Sequence, residues 1–451
     1  MHEAMGSEIG ARTTDRLVPS EGARKQTKEF GGTLGAALIM TMSHGLMLYL
    51  WLAWRFHDGA LWFPIGQAWS DIVAHAAPTW RVFGLYWAFL VFEGVLAAYV
   101  PGIEIKGLPI PSRGGQRLVY RCNAISAWWI TLIAMAALHF TGVFPLQTLY
   151  EEFGSFMVVS MISANIVAFA IYFGAKFTGN AERMTGSFLY DFFMGAWLNP
   201  RIGRLDLKMW AEVRVSWLML FLLTASGAAH QYATYGVVTA PMAFMLLAHF
   251  LYTNACMKGE ECIPTTWDIF YEKWGWMLIF WNLAGVPFVY CFNSMYIASR
   301  PPFEHSLPYT VFVFALLIGA YYVWDTSQSQ RNRFRMKLNG SYVKRLAFPQ
   351  LPWGTLDNPR YLDTEAGSKL LVDGWWKYAR KIHYTADILM ALSWGLICGF
   401  DHFLPYLYVC FFTVMIIHRA GRDIARCRKK YGKDWDRYCE EVRYLFVPGV
   451  F

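Results

Sequence analysis

Long apolar runs dominate this chain, and each is about as long as a lipid bilayer is thick. They fall at roughly 34–55, 80–100, 122–141, 153–174, 213–231, 236–256, 275–298, 307–325, 385–400 and 403–418. A helix of about 20 apolar residues crosses a hydrocarbon core of about 30 Å. The expected fold is therefore an all-α polytopic membrane protein with about ten transmembrane helices. The last two runs are short enough to form a hairpin that does not cross fully. Interior Gly and Pro in "NLAGVPF" (282–288) predict a kinked or broken helix there.

Composition agrees. Of 451 residues, 56% are hydrophobic and 16% charged, against about 25% charged in soluble proteins. Many of the 21 tryptophans and 25 tyrosines lie near the ends of the apolar runs, as interfacial belts require. The eight cysteines form no CxxC pair and no zinc spacing, so no metal site is expected and they read as reduced thiols. Residues 1–30 are polar and read as a disordered cytosolic tail, with no signal peptide before the first apolar run.

Loop charge sets the orientation. Cations cluster in the tail (Arg12, Arg16, Arg24, Lys25, Lys28) and in the intervals after the second, fourth and eighth runs, and they continue from Arg419 to the C-terminal end. The alternate intervals are nearly bare of cations, and "FPLQTLYEEFG" and "GFDHF" have none. Ten spans with both termini cytosolic give this alternation. The net charge of +8 then belongs to cytosolic loops meeting membrane lipid, and no nucleic-acid partner is expected.

No GxGxxG joins a strand to a helix and no P-loop is present, so a dinucleotide would have to bind without a Rossmann domain. The cations after the eighth run are nevertheless ordered. Arg331 and Arg335 share a helical face, and Arg419, Arg422, Asp423 and Arg426 fall at i, i+3, i+4 and i+7. Arginine suits bidentate grip on phosphate; the alternative is an anchor on anionic lipid. Between these clusters lies "DGWWKYARKIHY" (373–384). Paired tryptophans beside three cations suit an anion that carries a flat ring better than they suit an anchor. In the apolar runs, His230, His249 and Tyr252 stand out, with Glu260 and Glu261 about two turns beyond Tyr252. Such histidines often just bond a neighbouring helix. A tyrosine near carboxylates is a candidate proton donor.

"SFLYDFFMGAWLNPRIGRLDLKMW" (187–210), "TTWDIFYEKWGWMLIFWNLAGVPFVYCF" (265–292), "GWWKYARKIHYTADILMALSW" (374–394) and "HRAGRDIARCRKKYGKDWDRY" (418–438) resemble the sterol reductase family. This resemblance covers nearly the whole chain after residue 30. Family members are endoplasmic reticulum enzymes with ten spans that use NADPH to reduce sterol carbon–carbon double bonds. The resemblance puts the cofactor residues at Arg331, Arg335, Leu371, Trp376, His383, Tyr384, Asp387, Arg419, Asp423 and Tyr431, and the sterol side at Tyr252, Glu260 and Glu261. It implies transmembrane helices one to eight with the sterol-side segment over 31–325, and an NADPH-binding region with the last two helices over 326–451. Gly259 before the glutamate pair, Trp281-Asn282 and the ending "VPGVF" look most like the C-24(28) reductases of ergosterol-type synthesis. A C-14 sterol reductase is the alternative within the class. Outside it stand a membrane methyltransferase using S-adenosylmethionine, which shares the basic C-terminal pattern but lacks the middle motifs, and a structural protein like lamin B receptor, which needs a large N-terminal region.

Overall fold

The computed structural model describes residues 28–340, 342–343 and 350–450. Nearly all of the expected tail, residues 1–27, lies outside the described residues. The chain divides into two compact units. One runs over Lys25–His305 with Cys398–Pro405, the other over Ser306–Ile397 with Tyr406–Phe451.

The first unit holds α1 (Gly32–Phe56), α2 (Trp80–Tyr99), α3 (Ala124–Phe140), α4 (Phe153–Phe177), α5 (Leu207–Tyr235), α6 (Ala240–Lys258) and α7 (Trp276–Ala298). The second holds α8 (Leu307–Leu338), α9 (Ile382–Leu396), α10 (Leu407–Tyr431) and α11 (Lys433–Glu441). A helix therefore stands at each of the ten expected places. Among the described residues, eight of them are long and apolar enough to cross a membrane. The exceptions are α3, with 17 residues, and α9, with 15. At 1.5 Å per residue they are about 25 and 22 Å long, short of a hydrocarbon core.

Local chemistry sets the helix ends. Thr79 Oγ1 accepts from Val82 N to cap α2, Asp206 accepts from Met209 N to start α5, and Thr239 accepts from Met242 N to start α6. Gly236 closes α5 in the left-handed region, at φ 71°. The expected kink in α7 is a π-helical turn over Trp281–Gly285, just before Pro287. Proline has no N–H to donate and its ring crowds the carbonyl four residues back, so the helix widens there. A second π turn, Ala211–Val215, interrupts α5. Ser216 Oγ joins the two, donating to the Asn282 carbonyl at 2.9 Å.

Three antiparallel hairpins decorate the helices: β1 (Ile103–Lys106) with β2 (Val119–Cys122), β3 (Arg201–Ile202) with β4 (Leu205–Asp206), and β5 (Tyr361–Asp363) with β6 (Lys369–Leu371). The motif glycines Gly195 and Gly275 mark where two backbones touch. A Cβ on Gly275 would lie 2.1 Å from Gly195 N, so neither position accepts a side chain.

Candidate functional site

In the second unit the charged stretch after the eighth run is not a loop. It continues α8, whose 32 residues extend about 48 Å, well past a hydrocarbon core. The apolar first half can span while the second half carries Arg331, Arg333, Arg335 and Lys337 beyond it. On this extension sits the "DGWW" turn. Gly374 has φ 60°, and a Cβ there would lie 2.3 Å from Gln330 Oε1. Its space is taken because Gln330 Oε1 accepts from Trp375 N at 2.9 Å. Asp373 closes the turn, accepting from Gly374 N at 2.7 Å and Arg360 N at 3.1 Å. These backbone donors, Arg360 N foremost, hold its carboxyl below the usual carboxylate range.

Trp376 is consequently fixed. Its indole donates to the Ser327 carbonyl at 2.9 Å, and it packs with Leu371, Phe334 and Leu356. The Arg331 guanidinium lies over its ring, and the His383 ring centroid is 5.0 Å away. His383 in turn lies 4.1 Å from Tyr384. The three aromatics form one layer beside Arg331. His383 is buried, and its Nδ1 has no partner among the described residues. Asp387 accepts a hydrogen bond from Trp324. Asp423 pairs with Lys381, and Tyr431 OH accepts from Ser368 at 3.2 Å. Burial pushes the Lys381 ammonium below its ordinary range, against the pull of Asp423.

Among the described residues no carboxylate forms an ion pair with Arg331, Arg335 or Arg419. Unpaired arginines beside an aromatic layer and an orphaned imidazole nitrogen fit a ligand with both phosphates and a flat ring. The second unit thus brings together Arg331, Leu371, Trp376, His383 and Tyr384. Arg335 and Arg419 are exposed, on the faces of α8 and α10.

In the first unit, Tyr252 lies on α6 with its ring 4.9 Å from Trp217 of α5. The next residue, Thr253, donates to the Trp217 carbonyl at 3.2 Å. Glu260 has firm commitments. Its Oε1 accepts from Arg214 Nη2 at 2.6 Å and its Oε2 from Ala124 N at 2.7 Å, so one carboxylate ties α5 to the start of α3. No hydrogen bond joins Glu260 to Tyr252 among the described residues. Glu261 is half-buried on the same turn. The histidines behave as helix connectors: His249 Nδ1 is 2.6 Å from Thr224 Oγ1, and His230 stacks on Tyr150 at 4.0 Å.

Arg214 was not among the residues singled out in the sequence, nor was Glu93, which is fully buried on α2 and accepts from Thr131 at 2.5 Å. Glu93 is a lone charge in the apolar run "LVFEGVL" and Arg214 lies with Glu212 at the edge of the fifth run in "EVRVSW", and a charge in such a run is the signal that finds them. Lys381 is one of the three cations in "DGWWKYARKIHY", but its pairing with Asp423, 42 residues on, is visible only in the structure.

The model of the Ergosterol biosynthesis ERG4/ERG24 family matches residues 24–451. The Delta(24(24(1)))-sterol reductase erg4A of Aspergillus fumigatus is 47% identical, over 99% of this chain and 98% of that protein. The Delta(24(24(1)))-sterol reductase of Gibberella zeae is also 47% identical, over 94% of this chain and 73% of that one. A Delta(14)-sterol reductase of Dictyostelium discoideum is 34% identical, over 94% and 92%.

Proposed function

The chain belongs to the ergosterol biosynthesis ERG4/ERG24 family, and on that premise we propose that it reduces the C-24(28) double bond of a sterol, with NADPH as cofactor, in the endoplasmic reticulum membrane. C-28 is the carbon that the relatives' names write as 24(1). The observation that carries the reading is identity at 47% over 99% of the chain to a reductase of that bond. The C-14 reductase matches at 34%, so the C-24(28) reading is preferred. The chain is a multi-pass membrane protein and a sterol reductase, so its substrate reaches it from the bilayer.

When bound, NADPH supplies a hydride. Arg331, Arg335 and Arg419 would hold its phosphates, and Trp376, His383 and Tyr384 its rings. Asp423, kept by Lys381, would accept from a sugar hydroxyl. An isolated alkene accepts hydride poorly, so a proton must reach it first. The proposal assigns that proton to Tyr252, assisted by Glu261. Glu260 positions the segment through Arg214.

Expression in cells that lack the C-24(28) reductase tests this directly. Mass spectrometry should show the exocyclic methylene sterol disappearing and its saturated product forming. Consumption of a C-14 unsaturated sterol in cells lacking that other reductase, with no effect here, would overturn it.

A further inference from the structure

The first unit carries a second cluster of arginines, of which only Arg214 enters the proposed reaction, through Glu260. One cleft is lined by Arg121, Arg201, Arg204 and Arg214, with Asp206 and Trp210 among the other lining residues. The elements explain the convergence. Arg121 is on β2, Arg201 on β3, and Arg204 in the two-residue turn between β3 and β4. Trp210 and Arg214 are in the opening turns of α5.

Part of this donor capacity is used. Arg121 Nη1 donates to the Ala98 carbonyl at 2.7 Å, Arg201 Nε to Asp206 at 2.9 Å, and Arg214 Nη2 to Glu260. The remainder is not. Arg201 Nη2, Arg214 Nε and Nη1, and Trp210 Nε1 are all buried with no partner among the described residues. Arg214 is 2% exposed. A buried donor left unmade costs about 1–3 kcal/mol. Water could satisfy these donors, but Glu104, Asp206 and Glu260 pair only with Arg121, Arg201 and Arg214, so Arg204 has no carboxylate partner among the described residues. An anion satisfies both demands.

We propose that this cleft binds a phosphate group, and that the phosphate belongs to the headgroup of an anionic lipid. The location favours that source over free phosphate. α5 spans 29 residues, or about 43 Å, against a core of about 30 Å. Its first turns, with Trp210 and Arg214, therefore fall at the headgroup level, where tryptophan and arginine concentrate. Arg214 also grips Glu260, so headgroup binding bears on the segment that follows Tyr252.

The test uses the full chain in phosphatidylcholine nanodiscs, with native mass spectrometry after adding phosphatidic acid or inorganic phosphate. One phosphatidic acid should stay bound, and Arg204→Glu should weaken it at least about tenfold, the loss expected of one charge-assisted contact. Arg204 is exposed in a turn, so this change leaves the fold intact; Arg121→Gln is a second variant on another strand. Retention of inorganic phosphate with the same dependence on Arg204 would keep the site but overturn the lipid source. Equal binding by wild type and both variants, or loss only in an Arg331→Ala/Arg335→Ala chain, would overturn the site. Sterol turnover is not the readout, so failure here leaves the proposed reductase reaction standing.

Discussion

The guanidinium carbon of Arg331 lies 4.5 Å from the centroid of the Trp376 ring, and its hydrogen bond goes to a neutral amide, Gln328 Oε1, at 2.9 Å. Stacking of this kind contributes about 0.5–2 kcal/mol and a neutral hydrogen bond about 1 kcal/mol. A charge-assisted contact to phosphate contributes about 1.5–3 kcal/mol. A phosphate therefore competes with the Gln328 contact while the stacking is kept. The aromatic layer orients the arginine, and an anion bound there would meet its remaining N–H groups.

Changing Arg331 and Arg335 together to Ala should weaken NADPH binding by about a hundredfold or more. NADH should lose less if these groups meet the 2′-phosphate. Titration of the purified variant with each nucleotide decides it. Unchanged NADPH affinity would make the pair a lipid anchor.

Arg214 and Glu260 are 3% and 2% exposed at their side chains. Removing one partner strands the other charge, so Arg214→Met or Glu260→Met alone should destabilise the first unit by about 3–5 kcal/mol. The double variant should recover most of that, since apolar groups of similar size replace a buried pair at little cost. Thermal unfolding in detergent measures it. A double variant as unstable as the sum of the singles would show that the two do not act as a pair.

Apolar length alone gave the helices, because a bilayer-length run has few other ways to satisfy its backbone. What length could not give was depth. α3 has the composition of a span, yet its helical segment is shorter than a hydrocarbon core. The shortness of α9 was legible in its run, whereas α10, expected to be equally short, is long and apolar enough to cross. The Arg331–Arg335 face was readable from its spacing of four. The Arg331–Trp376 contact was not, since 45 residues of chain separate the two. Glu260 shows the same limit from the other side. A glutamate pair beyond Tyr252 reads as catalytic, but its partner Arg214 comes from another helix, and only packing reveals it.

Lys273 gives a pH signature outside the membrane helices. Its ammonium donates to the Glu182 and Arg183 carbonyls at 3.2 and 2.9 Å. Burial pulls its pKa down to about 8, against about 10.4 in an unfolded chain. Between those values the unfolded chain binds more protons than the folded one, so this group's contribution to stability rises with pH. Wild type should gain stability relative to Lys273→Met as pH rises from about 8 to about 10.4, and the difference should be flat below. Paired unfolding curves check the sign. A difference that stays flat over that interval and falls only above about 10.4 would mean that the carbonyl contacts outweigh desolvation.

Tyr252 carries the mechanistic claim. Protonation at C-28 of an exocyclic methylene leaves the cation on C-24, the more substituted carbon, where hydride then adds. A site closed to water protects that cation, and Tyr252 lies against the Trp217 ring of α5. Positioned acid catalysis contributes about 10²- to 10⁴-fold. Tyr252→Phe should therefore lose at least about two orders of magnitude in turnover while NADPH still binds. Reaction in heavy water should place deuterium in the new C-28 methyl group, and labelled NADPH should place it at C-24. Cofactor label at C-28 would reverse the polarity and discard the mechanism. Near-normal turnover in the Phe variant, with the labels as expected, would keep the polarity and transfer the proton-donor role away from Tyr252.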